Sequence, residues 1–285
     1  MGQVRVRYNQ NDVDNVRKML DVYRLNTVCS AASCPNMGEC FRRKTATFMI
    51  LGSQCTRNCR FCNIMNGDAE KVDPHEPERI AKAAALMGLK HVVVTSVTRD
   101  DLKNGGAEQF AATIRALRHY SEDITVEVLI PDLRGSLEAL KIVMDAEPDV
   151  LNHNIETVPR LYSEARPEAN YDRSLRVLQR AKEMRPDVLT KTGIMVGLGE
   201  TKEEVLALMD DVRETNCDIL TIGQYMQPTE DHLPVQEYIS EEVFDEYRKA
   251  GEEKGFAYVA SGTLVRSSYH AEEALSYGKK ITTFT

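Results

Sequence analysis

The segment from residue 47 to residue 62 is Thr-Phe-Met-Ile-Leu-Gly-Ser-Gln-Cys-Thr-Arg-Asn-Cys-Arg-Phe-Cys, a short apolar run followed by three closely spaced cysteines. The apolar part predicts a buried β-strand. Cys55, Cys59 and Cys62 follow directly, with the spacing C-x3-C-x2-C. Three thiolates on one loop can bind three irons of a [4Fe–4S] cluster and leave the fourth iron open to another ligand. The sequence therefore predicts an iron–sulfur site at the carboxyl end of a strand.

Structural zinc, disulfide bonds and buried free thiols are the alternatives for these cysteines. Structural zinc takes four protein ligands, usually as two pairs, whereas this loop has three thiols with no fourth nearby. Disulfides belong mainly to exported proteins, and the first residues show no apolar segment typical of a secretory signal. The spacing therefore favours the iron–sulfur cluster.

Beyond the cysteines, short β-rich runs alternate with segments of helical period. Six strands are predicted at Thr47–Leu51, His91–Ser96, Ile124–Ile130, Val150–Ile155, Leu189–Gly197 and Ile219–Tyr225, with one more short strand at Tyr258–Gly262. Helices are predicted at 76–88, 106–119, 135–146, 171–185 and 201–215. This alternation predicts an α/β fold with a parallel sheet, either doubly wound or a partial barrel, whose chemistry lies at the carboxyl ends of the strands.

Charge and hydropathy exclude two classes of partner. The chain of 285 residues has 36 basic and 44 acidic residues, a formal net charge of −8. An acidic chain lacks the electrostatic footprint of a general nucleic-acid binder, so no nucleic-acid partner is expected. No run of about 18 apolar residues occurs, so no membrane partner is expected either. The cytoplasm is the predicted location, with an organelle matrix as the alternative.

A second group of three cysteines lies upstream of the first. Cys29, Cys34 and Cys40 have the spacing C-x4-C-x5-C, which also places three thiolates on one short segment. A second cluster is the natural interpretation. The seventh cysteine, Cys217, stands alone before an apolar strand and is predicted to be a buried free thiol.

Together these motifs resemble those of the lipoyl synthases, a family of the radical S-adenosylmethionine (SAM) superfamily. C-x3-C-x2-C, with the aromatic Phe61 before its last cysteine, is similar to the superfamily motif. The upstream triplet and the tail Arg266-Ser267-Ser268-Tyr269 resemble lipoyl synthase specifically. Further similar stretches are Asn36–Cys40, Thr95–Asp101, Asn152–Thr157, Gly197–Thr201 and Gln227–Thr229.

The resemblance implies a partial (βα)6 barrel of the TIM type between two extensions that carry an auxiliary iron–sulfur cluster. The N-terminal extension would comprise residues 1–46, the radical SAM barrel 47–256 and the C-terminal extension 257–285. Cys55, Cys59 and Cys62 would bind the catalytic [4Fe–4S] cluster, whose open iron binds SAM. Cys29, Cys34 and Cys40 would bind the auxiliary [4Fe–4S] cluster, which is taken apart as the sulfur source. Its fourth ligand is predicted to be Ser268, also a catalytic residue, with Ser267 second, and nothing in the sequence chooses between them.

SAM contacts are predicted at the carboxyl ends of the strands. Asn154 and Glu156 lie at the end of the fourth predicted strand, where the resemblance implies contacts with the ribose, and both have the right chemistry for it. The resemblance further suggests contacts with the adenine and the rest of SAM from Phe61, Thr95, Arg166, Gly197 and Gly199. A lone G-x-G is a weak signal, and a tight turn is the alternative for the two glycines.

The resemblance implies insertion of two sulfur atoms, at carbons C6 and C8, into an octanoyl group on a lysine of a lipoyl carrier domain. That carrier would be the E2 subunit of a 2-oxoacid dehydrogenase or the H protein of glycine cleavage, and the electron donor a flavodoxin or ferredoxin-type protein. Two alternatives stay open: another radical SAM sulfur-inserting enzyme, of the biotin synthase or methylthiotransferase kind, and a zinc-binding scaffold without catalysis.

Overall fold

The computed structural model describes residues 18–27, 45–121 and 123–268. One sheet of eight strands dominates it, and the strands lie side by side in sequence order. They are β1 (Asn26–Thr27), β2 (Thr45–Ile50), β3 (His91–Ser96), β4 (Thr125–Leu129), β5 (Val150–Asn152), β6 (Leu189–Val196), β7 (Ile219–Gln224) and β8 (Tyr258–Gly262). The short β1 is antiparallel to β2, and every later pairing is parallel. A doubly wound sheet reverses its strand order, so this order confirms the predicted barrel type.

Helices connect the parallel strands as crossovers, and a short helix at 18–23 precedes β1. They are α1 (Glu76–Leu86), α2 (Ala107–Tyr120), α3 (Leu137–Met144), α4 (Tyr162–Ala165), α5 (Tyr171–Met184), α6 (Lys202–Glu214) and α7 (Glu241–Glu253). Side chains cap two of these helices: Ser136 Oγ accepts from Ala139 N, and Thr201 forms a capping box with Glu204. The helices α4 and α7 and the strand β1 were not predicted.

The two faces of the sheet differ in polarity. Alternate residues such as Val92, Val126 and Leu151 pack outward with the helices into apolar clusters. Their neighbours along the same strands are polar and equally buried, among them His91, Glu127, Asn152 and Lys191. Barrels of this class are usually filled by bulky apolar layers, so a charged interior is a departure that needs its own stabilisation.

An ion pair supplies that stabilisation inside the barrel. Lys191 Nζ lies 3.0 and 3.1 Å from the two carboxylate oxygens of Glu127, and Asn152 Nδ2 donates to Glu127 Oε1 at 2.9 Å. Burial alone would raise the pKa of Glu127, but Lys191, His91 and Asn152 lower that pKa to about 2. Glu127 is therefore an ionised carboxylate whose hydrogen bonds orient its neighbours.

Among the described residues, no helix combines the length and apolar character needed to span a membrane. The prediction that divides the chain at 46/47 and 256/257 stays a prediction. The parallel sheet itself runs from Thr45 to Gly262.

Candidate active site

The loop 55–62, which we call the cysteine loop, begins just beyond β2. Leu51 (φ 70°) and Gly52 (φ 96°) turn the chain sharply at the end of the strand. The Leu51 N–H donates to the Glu76 carboxylate at 3.1 Å, which holds this strained turn against α1. Cys55, Cys59 and Cys62 follow as half-buried free thiols at the carboxyl end of the sheet.

Arg57 attaches the cysteine loop to the loops that follow β3 and β4. Its guanidinium makes a two-point ion pair with Asp100, at 2.6 and 3.0 Å, and Nη2 lies 2.7 Å from Asp132 Oδ1. The side chain of Arg57 is 5% exposed and that of Asp132 is 0% exposed. Burial alone would raise the pKa of Asp132, but Arg57 lowers that pKa to about 2. The loop is therefore clamped by charges that solvent screens little.

Backbone hydrogen bonds hold the other sides of the cysteine loop. Thr56 N donates to Thr98 O at 3.0 Å, on the β3 side. Arg60 N donates to Ala165 O at 3.0 Å, on the β5 side, and Arg60 O accepts from Leu233 N beyond β7. His232 Nε2 also lies 3.0 Å from Cys62 O. Together with the Arg57 contact to Asp132 after β4, loops after β3, β4, β5 and β7 therefore hold the cysteine loop.

The chemistry of the thiols fits an iron–sulfur cluster. Cys55 Sγ accepts N–H hydrogen bonds from Arg57 (3.5 Å) and Thr98 (3.3 Å), the kind of bond that tunes cluster sulfurs. Burial raises the pKa of Cys62 to about 12 and also raises that of Cys59, so a bare thiolate is unfavourable there and needs positive charge. No three His, Cys, Asp or Glu side chains in the described ranges converge as ligands of one metal ion do. Thiolates that bind a [4Fe–4S] cluster need not share one metal ion, because each binds a different iron.

Glu156 and Arg166 lie beside the cysteine loop. Glu156 has a positive φ of 72°. Two backbone hydrogen bonds hold this strained conformation: the Glu156 N–H donates to Gly193 O at 3.0 Å, and the Glu156 carbonyl accepts from Met195 N at 2.8 Å. Burial raises the pKa of Glu156, while Arg166 and Asn154 partly oppose the rise. Arg166 is buried and donates to the carbonyls of Asn154 (3.0 Å) and Ile155 (3.2 Å). Burial raises the pKa of Cys59, and the charge of Arg166 partly opposes that rise.

Several buried polar atoms at this end of the barrel lack a hydrogen-bond partner in the described part of the chain, among them His153 Nε2 and Arg166 Nε. Burial lowers the pKa of His153 to about 4, so its ring is neutral. Buried polar groups without a hydrogen-bond partner are rare in native structures, so each calls for a partner such as a bound ligand. A polar cofactor at the end of β5 fits these residues.

The remaining predicted SAM contacts lie at the same end of the barrel. Thr95 is buried and its hydroxyl donates to Leu129 O at 2.9 Å, while Phe61 is half-buried against the apolar cluster of β6 and β7. Gly197 and Gly199 have φ 97° and 107°, and the Glu200 carboxylate accepts from Gly197 N and Leu198 N, which closes a tight turn. The turn interpretation of the glycines is therefore confirmed, and their contact with SAM stays a prediction.

The described chain ends at Ser268. Ser267 Oγ donates to Asn154 Oδ1 at 2.6 Å and accepts from Asn152 Nδ2 at 3.2 Å, so this serine lies against the end of β5. Ser268 is half-buried beside it. Cys29, Cys34 and Cys40 lie outside the described residues. Cys217 is buried with its thiol near Thr190 O, as predicted.

The sequence did not single out Arg57, Asp132 or His232 as residues that build the site. Each acts on a partner at least 75 residues away, and single charged or imidazole side chains give no local signal for such a contact.

The sequence of this chain is similar to those of known proteins. The profile of the radical SAM superfamily matches residues 49–212. Lipoyl synthase of Caldanaerobacter subterraneus subsp. tengcongensis is 55% identical over 276 residues, 97% of each chain. Lipoyl synthase of Rubrobacter xylanophilus is 57% identical over 87% of this chain and 78% of its own. The chain belongs to the lipoyl synthase family.

Structural comparison agrees on the fold. The crystal structure of a methylornithine synthase matches with a TM-score of 0.56 at 13% identity, covering 96% of this chain and 94% of the other. At that identity the match concerns the fold alone. Lipoyl synthases are radical SAM sulfur-inserting enzymes, and their cofactors are SAM and [4Fe–4S] clusters. These comparisons decide against the zinc scaffold and favour lipoyl synthase over the other sulfur-inserting families.

Proposed function

We propose that this enzyme inserts two sulfur atoms, at carbons C6 and C8, into an octanoyl group attached to a lysine of a carrier protein. The observation that carries the proposal is the cysteine loop, clamped across the carboxyl end of a barrel beside Glu156 and Arg166. When bound, the cluster and SAM would supply the radical chemistry that unactivated C–H bonds require. The protein contributes position and exclusion of water.

The residues divide into three roles. Cys55, Cys59 and Cys62 bind the catalytic cluster, and Arg166 offsets the charge that Cys59 brings into a buried position. Asn154 and Glu156 bind the SAM ribose, with Phe61, Thr95, Gly197 and Gly199 lining the rest of the SAM site. Ser268, together with Cys29, Cys34 and Cys40, binds the auxiliary cluster that supplies sulfur. These roles rest on the family's motifs and on the positions of the described side chains.

The carrier is an octanoylated lipoyl domain, either the E2 subunit of a 2-oxoacid dehydrogenase or the glycine cleavage H protein, and the reductant is a flavodoxin or ferredoxin. We place the reaction in the cytoplasm. An anaerobic competition assay offers both octanoylated carriers together, with each reductant in turn. The mass of the product identifies the preferred carrier and reductant.

Metal content is the first test of the proposal. After anaerobic reconstitution the wild type should contain about eight irons and eight sulfides, and a Cys55/Cys59/Cys62→Ala variant about half. Cys217→Ala is the matched control, because it removes a buried thiol far from the loop and should retain both clusters. With SAM, reductant and an octanoyl-lysine peptide, wild type and control should form lipoyl-lysine. Four irons in wild type, or zinc in place of iron, would contradict the proposal.

A further inference from the structure

Ser267 is the point at which the C-terminal tail contacts the end of β5. Its hydroxyl lies between two asparagines, accepting from Asn152 Nδ2 at 3.2 Å and donating to Asn154 Oδ1 at 2.6 Å. Asn152 is fully buried, and Asn154 and Ser267 are half-buried. One side of this contact faces the barrel interior, and the other faces the predicted SAM residues.

The interior ion pair fixes the direction of these hydrogen bonds. Glu127, ionised beside Lys191, accepts from Asn152 Nδ2 at 2.9 Å, which turns the Asn152 amide so that its nitrogen also reaches Ser267. Ser267 accepts that bond and must donate its own proton onward to Asn154 Oδ1. The Asn154 amide nitrogen is then left to donate to Glu156, whose pKa this hydrogen bond lowers against the effect of burial.

Two strand glycines make room for the tail. A Cβ atom on Gly223 would lie 2.2 Å from Val265 O, which places the tail backbone directly on β7. A Cβ atom on Gly193 would lie 3.0 Å from Asn154 Oδ1 and 3.2 Å from Ser267 Oγ. The tail turn is therefore seated on the sheet by close backbone approach as well as by the serine.

We propose that Ser267 is a positioning residue that connects the tail to the SAM site. The proposal rests on the proposed function, which makes Glu156 a SAM contact and Ser268 the cluster ligand. Ser267 donates its proton to Asn154 Oδ1 at 2.6 Å, so it acts here as a neutral hydroxyl. The orientation of Asn154 and Glu156 therefore depends on the seated tail.

A crossed comparison of Ser267→Ala and Ser268→Ala tests the assignment on the full chain. Affinity for SAM is measured anaerobically by equilibrium dialysis on the two-cluster protein. The electron paramagnetic resonance signal of the reduced auxiliary cluster is recorded in the Cys55/Cys59/Cys62→Ala background. Thr263→Ala is the matched control, because it removes a hydroxyl from the same turn, bonded to the exposed Glu241.

The two variants should give opposite results. Ser267→Ala should weaken SAM binding about three- to tenfold, the value of one oriented hydrogen bond, and leave the auxiliary signal unchanged. Ser268→Ala should alter the auxiliary signal and leave SAM affinity within twofold of wild type, and Thr263→Ala should change neither. A changed auxiliary signal in Ser267→Ala, or unchanged SAM affinity, would overturn the proposal. Because neither readout uses sulfur insertion, failure of the proposed function appears separately, as absent lipoyl-lysine in the wild-type assay.

Discussion

The cysteine loop and the tail turn (263–268) lie at the same end of the barrel but are held by different kinds of interaction. The cysteine loop is clamped through Arg57 by a buried ion-pair network and by backbone bonds to loops after three strands. The tail turn is held by the neutral hydrogen bonds of Ser267 and by close packing on Gly223. Breaking a buried ion pair costs about 3–5 kcal/mol, whereas one neutral hydrogen bond contributes about 1 kcal/mol.

This difference matches what the proposed reaction asks of each segment. The catalytic cluster has to survive repeated cycles of reduction, so its loop benefits from permanent anchoring. In the proposed reaction the auxiliary cluster is consumed as the sulfur source, so the tail turn, which carries the proposed serine ligand, has to release it and later rebind. Weak, neutral anchoring suits release, because local opening draws on the least stable parts of a structure.

Removal of Arg57 should have the largest effect on stability. Arg57→Ala leaves Asp132, 0% exposed, without its main partner, and should lower the free energy of unfolding by about 3–5 kcal/mol. Anaerobic urea unfolding of the reconstituted protein measures the change. Arg160→Ala breaks the partly exposed pair with Glu204 and should cost less than about 1 kcal/mol. Equal losses in the two variants would mean that the buried clamp contributes no more than a surface pair.

Acid should weaken the clamp within a defined range of pH. The pKa of Asp132 is about 2 in the folded chain, below the value of about 3.9 for an unfolded aspartate. A depressed carboxylate pKa stabilises the fold above the unfolded value, and this contribution is lost as pH falls from about 5 towards 2. The loss should reach about 2–3 kcal/mol. Urea unfolding of cluster-free wild type should show this slope, and Asp132→Asn should reduce it. Parallel slopes for the two proteins would exclude Asp132 as the titrating group.

Displacing the tail should have a smaller effect on stability and a local effect on structure. Gly223→Ala puts a methyl group 2.2 Å from Val265 O, so the tail backbone must shift, at a cost of about 1–3 kcal/mol. The tail should also become more sensitive to limited proteolysis. Gly262→Ala meets Val265 at an ordinary 3.6 Å and is the matched control. Unchanged proteolysis in Gly223→Ala would show that the tail is not seated on β7.

The parallel sheet and the cysteine loop were predictable because their signals are local. The run His91–Ser96 contains four consecutive β-branched residues, Tyr258–Gly262 begins with the β-prone pair Tyr-Val, and both strands have the predicted bounds. β5 ends at Asn152, before the predicted Ile155, because the backbone leaves the ladder ahead of the strained Glu156. α7 escaped prediction because its charged sequence buries only Phe244, Tyr247 and Gly251.

The supports of the site were not predictable, because they join distant residues. Glu127 and Lys191 are 64 positions apart, and only the register of the barrel brings them together. Asn152 and Ser267 are separated by 115 positions. A buried charge in a strand is itself unusual, and this is the one sequence signal that could have drawn attention to the barrel interior.

The smallest predicted effect concerns His232, a single hydrogen-bond contact on the otherwise charge-clamped cysteine loop. Its Nε2 lies 3.0 Å from Cys62 O, while Thr229 Oγ1 lies 2.8 Å from Nδ1 and orients the ring. His232→Ala should lower the free energy of unfolding by about 1 kcal/mol, because one hydrogen bond is lost while the Arg57 clamp remains. His232→Asn is the control that keeps a polar side chain at this position. If the charged clamp dominates, iron content after reconstitution should stay at the wild-type value in both variants. Loss of iron from His232→Ala would mean that the contact at the Cys62 carbonyl, rather than the ion pairs at Arg57, holds the cysteine loop in shape for its cluster. The contrast between the cysteine loop and the tail turn would then disappear.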